Sequence, residues 1–234
     1  MIHLHQLPKL QDKSYSMSPF CIKMELYLKV ASLAYQNHFG LEFNNSPTGK
    51  MPYIEFQGKK YADSNLIISR LEQENNFSID EHLNSQQKAI AFSFIRLCED
   101  SLYWAGLYSR WVDADNKQWK VNFVEASGLP KTMANIIYPV AKRNILRQLK
   151  SIGLMGLTRN EIYSKAQQDI SAIANFLEAR MYFFNDKISL VDLTVFSFLI
   201  TVADGNCGKR LQNFVYDKNI GSFIENIQNK YLAA

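Results

Sequence analysis

The chain has 234 residues, 47% hydrophobic and 21% charged, the composition of a folded globular protein, which excludes a disordered or collagen-like chain. Its 26 basic and 22 acidic residues leave a formal charge of +4, too small and too scattered to indicate a nucleic-acid binder. The longest apolar run, residues 193–202, contains Thr and Ser and falls well short of the ~20 residues of a membrane span.

Residues 2–6 alternate as Ile, His, Leu, His, Gln, which predicts a half-buried strand. Ser18-Pro19 opens a segment too rich in apolar side chains for a surface helix, so a mostly buried helix is predicted. A second strand is expected over 35–39, followed by a loop punctuated by Pro47 and Gly49. Residues 52–56 and 59–61, around Gln57-Gly58, read as strand, turn, strand. Asp63-Ser64 then starts a helix running through Leu71. That order predicts a small sheet covered by helices.

The pattern breaks after residue 75. Beyond it only helical periodicity is visible: 86–112 as one long helix, then 134–150, 160–181, 190–203 and 219–231. Pro139 lies inside one of these and is expected to kink or restart it. The chain therefore divides into an α/β unit over 1–76, a linker over 77–84 and an all-helical unit over 85–234. The densest basic stretch, from Lys131 to Lys150, holds Lys142, Arg143 and Arg147 and no acid. It reads as a solvated helix face, or as a surface for an acidic partner.

Cys21, Cys98 and Cys207 have neither metal-ligand nor redox-pair spacing, which suits a reducing compartment. Met1-Ile2-His3-Leu4-His5 shows no basic region followed by an apolar core, so no secretory signal is expected. A cytoplasmic location is the expectation. The four histidines form no metal spacing, and no metal is expected. There is no phosphate-binding glycine loop and no dinucleotide fingerprint.

Three motifs follow in order: Ser18-Pro19-Phe20-Cys21, then Ser46-Pro47-Thr48-Gly49-Lys50-Met51-Pro52-Tyr53, then Ala62-Asp63-Ser64. With them the chain resembles the cytosolic glutathione transferases over essentially its whole length. It is most similar to the branch of the failed-axon-connections and metaxin-related proteins, through Ser18-Pro19-Phe20-Cys21-Ile22-Lys23, Leu102-Tyr103-Trp104 and Ser189-Leu190-Val191-Asp192-Leu193-Thr194-Val195-Phe196. The resemblance implies an α/β thioredoxin-like N-terminal domain followed by an all-α C-terminal domain. It also implies glutathione as co-substrate, a small hydrophobic electrophile as substrate, and a homodimer.

Residue by residue, the resemblance assigns the γ-glutamyl end of glutathione to Asp63 and Ser64, the first turn of a helix. Unpaired N–H groups and the helix dipole make such a turn an anion site; taken alone, the pair also reads as an ordinary N-cap. Pro52 is cis in relatives, leaving the Met51 backbone free to pair with the cysteinyl unit; taken alone, it reads equally as a trans proline starting an edge strand. Lys50 matches a cation for the glycyl carboxylate, or is a solvated loop lysine.

Ser18 is the catalytic candidate, at the position of the nucleophilic Cys of glutaredoxins. A thiol of pKa ~8.5 is only about 3% ionised at pH 7, and a hydroxyl donor lowers that pKa by stabilising the thiolate. Ser followed by Pro is also a preferred helix start for structural reasons. Tyr15 and Ser16, in the same loop, are substitutes. Cys21 reads as a buried structural thiol. Tyr103, Trp104 and Tyr108 are the substrate-pocket candidates, although an aromatic stripe that continues to Trp111 is also what a core requires.

Two departures from the branch stand out. The Arg-His pair that relatives often carry is absent from Gly153-Leu154-Met155-Gly156-Leu157-Thr158-Arg159-Asn160, and the 7–17 loop is long. The loop would lie over the glutathione site or displace its thiol end. The departures keep open a non-catalytic adaptor, and a glutathione-dependent isomerase or reductase, beside the transferase.

Overall fold

In strand β1 (Ile2–Gln6) the alternation acts as the sequence requires: Ile2, Leu4 and Gln6 are sealed, while His3 and His5 are half exposed. The protein is described by a computed structural model covering residues 1–232 apart from Gln11, Ala179, Asn185, Asp186 and Asn219. Helix α1 (Pro19–Val30) follows, then β2 (Tyr35–Phe39), β3 (Tyr53–Phe56), β4 (Lys59–Ala62) and α2 (Ser64–Asn75). The strands form one sheet in the order β2-β1-β3-β4, with β1 parallel to β2 and antiparallel to β3. Helix α1 is buried along almost its whole length, as its apolar content demands.

The second half is helical: α3 (Ser85–Leu97), α4 (Tyr103–Trp111), α5 (Gln118–Ala126), α6 (Lys131–Ser151), α7 (Arg159–Leu177), α8 (Leu190–Ala203), α9 (Gly208–Tyr216) and α10 (Gly221–Tyr231). Helix α8 is sealed from Val191 to Val202 and packs on α1 across the two halves. The architecture is that of the glutathione transferases: a small mixed four-stranded sheet with helices, followed by an all-helical domain.

Several elements differ from the periodicity reading. The single helix expected over 86–112 is two helices joined by a π-turn, Cys98–Leu102, which buries Cys98, Glu99 and Leu102. Helices α5 and α9 were not anticipated; each is nine residues long, with no side-chain capping bond to announce it. Helix α6 starts at Lys131, directly after Pro130, and runs unbroken through Pro139. Helix α7 stops at Leu177 rather than 181, because Glu178 turns the backbone at φ 49° and Phe183 swings its N–H onto the Asp192 carboxylate at 2.7 Å. The first residue expected in the last helix, Asn219, lies outside the described residues.

Candidate functional site

Sheet register alone gathers the predicted residues at one place. His5 pairs with Tyr53, and Tyr53 pairs with Ala62. The end of β1, the start of β3 and the end of β4 therefore share one edge of the sheet. The loop from β1 delivers Ser18 and the N-terminus of α1 to that edge. Met51-Pro52 precedes β3, and Asp63-Ser64 follows β4.

Asp63 takes a positive φ of 71°, and its carboxylate accepts hydrogen bonds from the N–H groups of Asn65 and Leu66 at 3.0 and 3.1 Å. It is the N-cap of α2, and Ser64 is the first helical residue, almost fully buried. Neither the N–H nor the hydroxyl of Ser64 has a hydrogen-bond partner among the described residues. The cap and the anion site thus coexist, since Asp63 occupies the next two donors and leaves the first one free. Met51-Pro52 is the cis peptide bond, and the Met51 N–H and C=O likewise find no partner among the described residues. Lys50 is exposed, and its carbonyl accepts a hydrogen bond from the Ser46 hydroxyl at 2.6 Å.

Ser18 is the N-cap of α1 but makes no side-chain capping bond. Its hydroxyl, 8% exposed as a residue, lies beside the sealed Cys21 thiol. Burial pushes that thiol up to about 11, so Cys21 is a neutral structural group. The two substitutes are engaged elsewhere. Ser16 donates to the Leu7 carbonyl at 2.8 Å, and the buried Tyr15 donates to Asp204 on the far domain at 3.4 Å. The 7–17 loop folds back on itself through Met17 N–H to Pro8 C=O and docks on the helical half. Ser14 reaches the Leu232 carbonyl, and Arg110 of α4 reaches the Met17 carbonyl at 3.2 Å.

Beneath the α2 N-terminus lies a cluster that sequence reasoning missed. Lys23 of α1, fully buried, donates to Glu99 at 2.6 Å and to Asn65 at 2.9 Å, while Asn65 donates back to Glu99 at 2.7 Å. These three groups tie α1, α2 and the π-turn together one residue after Ser64. Desolvation lowers the Lys23 ammonium from its usual range, opposed by the Glu99 carboxylate. The available signal was a lysine inside a helix otherwise apolar on every face.

The three aromatic candidates do not form one wall. Tyr103 packs edge-on against Phe20 and Phe198, at 5.1 and 6.4 Å between ring centres, and Trp104 tilts against Tyr103. Tyr108 points instead to Tyr163, 6.1 Å away. Trp111, at the end of the same stripe, is core, stacked on Tyr138. Between Pro19, Tyr103, Arg110 and Cys207 there is a cavity of about 20 Å³, room for a single water.

His3, His5 and His38 meet on the outer face of the sheet, His3 Nδ1 lying 3.0 Å from His38 Nε2 and His5 stacked between His38 and Tyr53. Among the described residues no group of His, Cys, Asp and Glu has metal-holding geometry. No described helix is long and apolar enough to cross a membrane.

Comparison with known proteins places this geometry in context. The family model described as the glutathione S-transferase N-terminal domain matches residues 19–116, and the glutathione S-transferase C-terminal domain matches residues 166–227. The chain is 29% identical to failed axon connections of Drosophila melanogaster over 192 residues, covering 79% of this chain but 46% of that protein. It is 28% identical to an isoprene-epoxide–glutathione S-transferase of Rhodococcus sp. (strain AD45), covering 92% of this chain and 93% of that one. Human metaxin-2 is 23% identical, covering 80% and 71%. A glutathione S-transferase of Ceriporiopsis subvermispora, solved in complex with glutathione, superposes with a TM-score of 0.64 at 18% identity, covering 98% of this chain and 97% of its own.

Proposed function

The chain belongs to the glutathione S-transferase superfamily, in the branch of failed axon connections and the metaxins, and from that we propose that it binds glutathione at the α2 edge of its sheet and activates the thiol for attack on a small hydrophobic electrophile. Ser64 carries this reading: a first-turn residue whose N–H and hydroxyl are both unspent, facing the unpaired Met51 backbone across the β3–β4 hairpin. The γ-glutamyl carboxylate takes the Ser64 donors. The cysteinyl unit pairs with Met51 as an added strand, and Lys50 faces the glycyl carboxylate. The Ser18 hydroxyl, uncommitted to capping, donates to the thiolate. The thiolate then forms a C–S bond at an electrophilic carbon, and the electron pair leaves with the ring oxygen or leaving group.

The electrophile class follows the Rhodococcus relative, whose name gives an epoxide as substrate and which aligns along nearly its whole length. The same reading takes the protein as a cytoplasmic homodimer, which sedimentation of the purified chain tests. Calorimetry with glutathione tests the site. Wild type is expected to bind in the millimolar range or tighter, and Ser64→Ala to bind about tenfold more weakly. Absence of wild-type binding overturns the proposal.

A second reading, a non-catalytic interaction protein, is favoured by one observation. The space beside α1 where the aromatics were to hold a substrate is about 20 Å³, far below the ~300 Å³ of a small ligand pocket. Turnover of small epoxides that co-purifies with the protein decides against it.

A further inference from the structure

The 21-residue helix α6 carries an unpartnered seam that is independent of the glutathione site. Its inner side seats Ala134, Tyr138 and Leu149 against the helical core. On the opposite side Met133, Ile136 and Val140 are 50%, 70% and 58% exposed. Arg143, Arg147 and Lys150, all exposed, continue the same line. The spacing runs three, four, three, four, three, the a/d seam of a helix built to pack on another helix. At 1.5 Å per residue the helix is about 31 Å long. From residue 126 to 160 the chain holds six Lys and Arg and no Asp or Glu, so nothing on this helix neutralises the seam.

The order of the seam selects the occupant. A second copy of α6 packed parallel sets Arg143, Arg147 and Lys150 against themselves. Packed antiparallel, it buries Lys150 on Met133 and Arg147 on Ile136. Either arrangement desolvates unpaired cations. A lipid surface favours an apolar row along the whole helix with cations on its flanks, whereas here apolar and basic residues occupy opposite ends of one row. We propose that this seam docks an amphipathic helix of another protein, whose own seam passes from three apolar side chains to three carboxylates. Apolar burial at the α6 N-terminal end then supplies affinity, and the charge order fixes direction and partner.

The test uses the full chain and a labelled synthetic helix of about 21 residues carrying three seam leucines followed by three seam glutamates, offered in both chain directions, with a seam-scrambled helix of the same composition as control. In fluorescence anisotropy one ordered probe is expected to bind about tenfold or more tightly than the scrambled one, with the margin shrinking in high salt. Ile136→Asp and Arg147→Glu, both on the surface and checked for folding by circular dichroism, are expected to remove that margin. Arg147→Glu is expected to regain binding to a probe with lysine at the facing position. No binding, equal binding of ordered and scrambled helices, or a margin untouched by either variant overturns the proposal. Binding to phosphatidylserine vesicles that is lost in both variants, without preference for the ordered helix, assigns the surface to lipid instead and equally overturns it.

Discussion

Lys23 Nζ and Glu99 Oε1 meet at 2.6 Å with both side chains closed to solvent, one from the sheet-bearing half and one from the helical half. A buried pair contributes little net stability against an apolar substitute, but removing one partner strands the other charge. Lys23→Met is therefore expected to lower unfolding stability by about 3–5 kcal/mol. Lys23→Met combined with Glu99→Leu is expected to recover most of that loss. Chemical denaturation of the three proteins measures both. A double variant no better than Lys23→Met contradicts the account.

The Ser18 hydroxyl is expected to act on the thiol and not on the fold, because it makes no capping bond. Ser18→Ala should leave glutathione affinity within about twofold and raise the pKa of the bound thiol by about 2 units. Turnover at pH 6.5 then falls about tenfold to a hundredfold, with a smaller loss at pH 9. The pH profile of kcat/KM and the ultraviolet absorbance of bound thiolate are the measurements. Undiminished turnover at saturating glutathione removes Ser18 from the mechanism.

Asp63 combines a capping carboxylate with a φ of 71°, a backbone region that suits Asn and Gly better than other residues. Asp63→Asn keeps both properties and is expected to stay within about 0.5 kcal/mol of wild type. Asp63→Ala loses the cap while keeping the backbone strain, at about 1–2 kcal/mol or more. Asp63→Gly loses the cap but relieves the strain, and belongs between them. Thermal unfolding ranks the three.

Asp192 is sealed in the capping turn of α8, accepting from Phe183 N–H, Ser189 N–H and the Ser189 hydroxyl. Desolvation nonetheless lifts its carboxyl from 3.8 to about 6. Between those values the folded chain holds a proton that the unfolded chain has lost. The contribution of Asp192 is thus full below pH 3.8 and is lost as pH rises through 6. Relative to Asp192→Asn, which does not titrate, wild type is expected to lose about 3 kcal/mol between about pH 4 and pH 7. A stability difference independent of pH contradicts the assignment.

The sheet-bearing half was legible because alternation and turn chemistry are local. Ile2 to Gln6, the Gln57-Gly58 turn and the Asp63 cap each announce themselves within a few residues. The helical half was legible as helix but not in its joints. The π-turn at Cys98–Leu102 keeps helical periodicity on both sides, so apolar spacing runs through it. Helices α5 and α9 are short and begin without capping side chains. At the candidate site, residues set by strand ends were readable, whereas the Lys23–Asn65–Glu99 cluster depends on three elements meeting. The aromatic stripe of α4 misled because one side of a helix can face several neighbours in turn: Tyr103 meets α1 and α8, and Tyr108 meets α7.

The stitching of the 7–17 loop to the far half, through Ser14 to Leu232, Tyr15 to Asp204 and Arg110 to Met17, bears on how the protein comes apart. The segment that sets Ser18 in place draws its own anchorage from residues near 110, 204 and 232. Neither half then has an independent melting transition. Calorimetry is expected to show one endotherm whose van't Hoff and calorimetric enthalpies agree, and a chain cut between the halves to lose the serine's position before it loses the sheet.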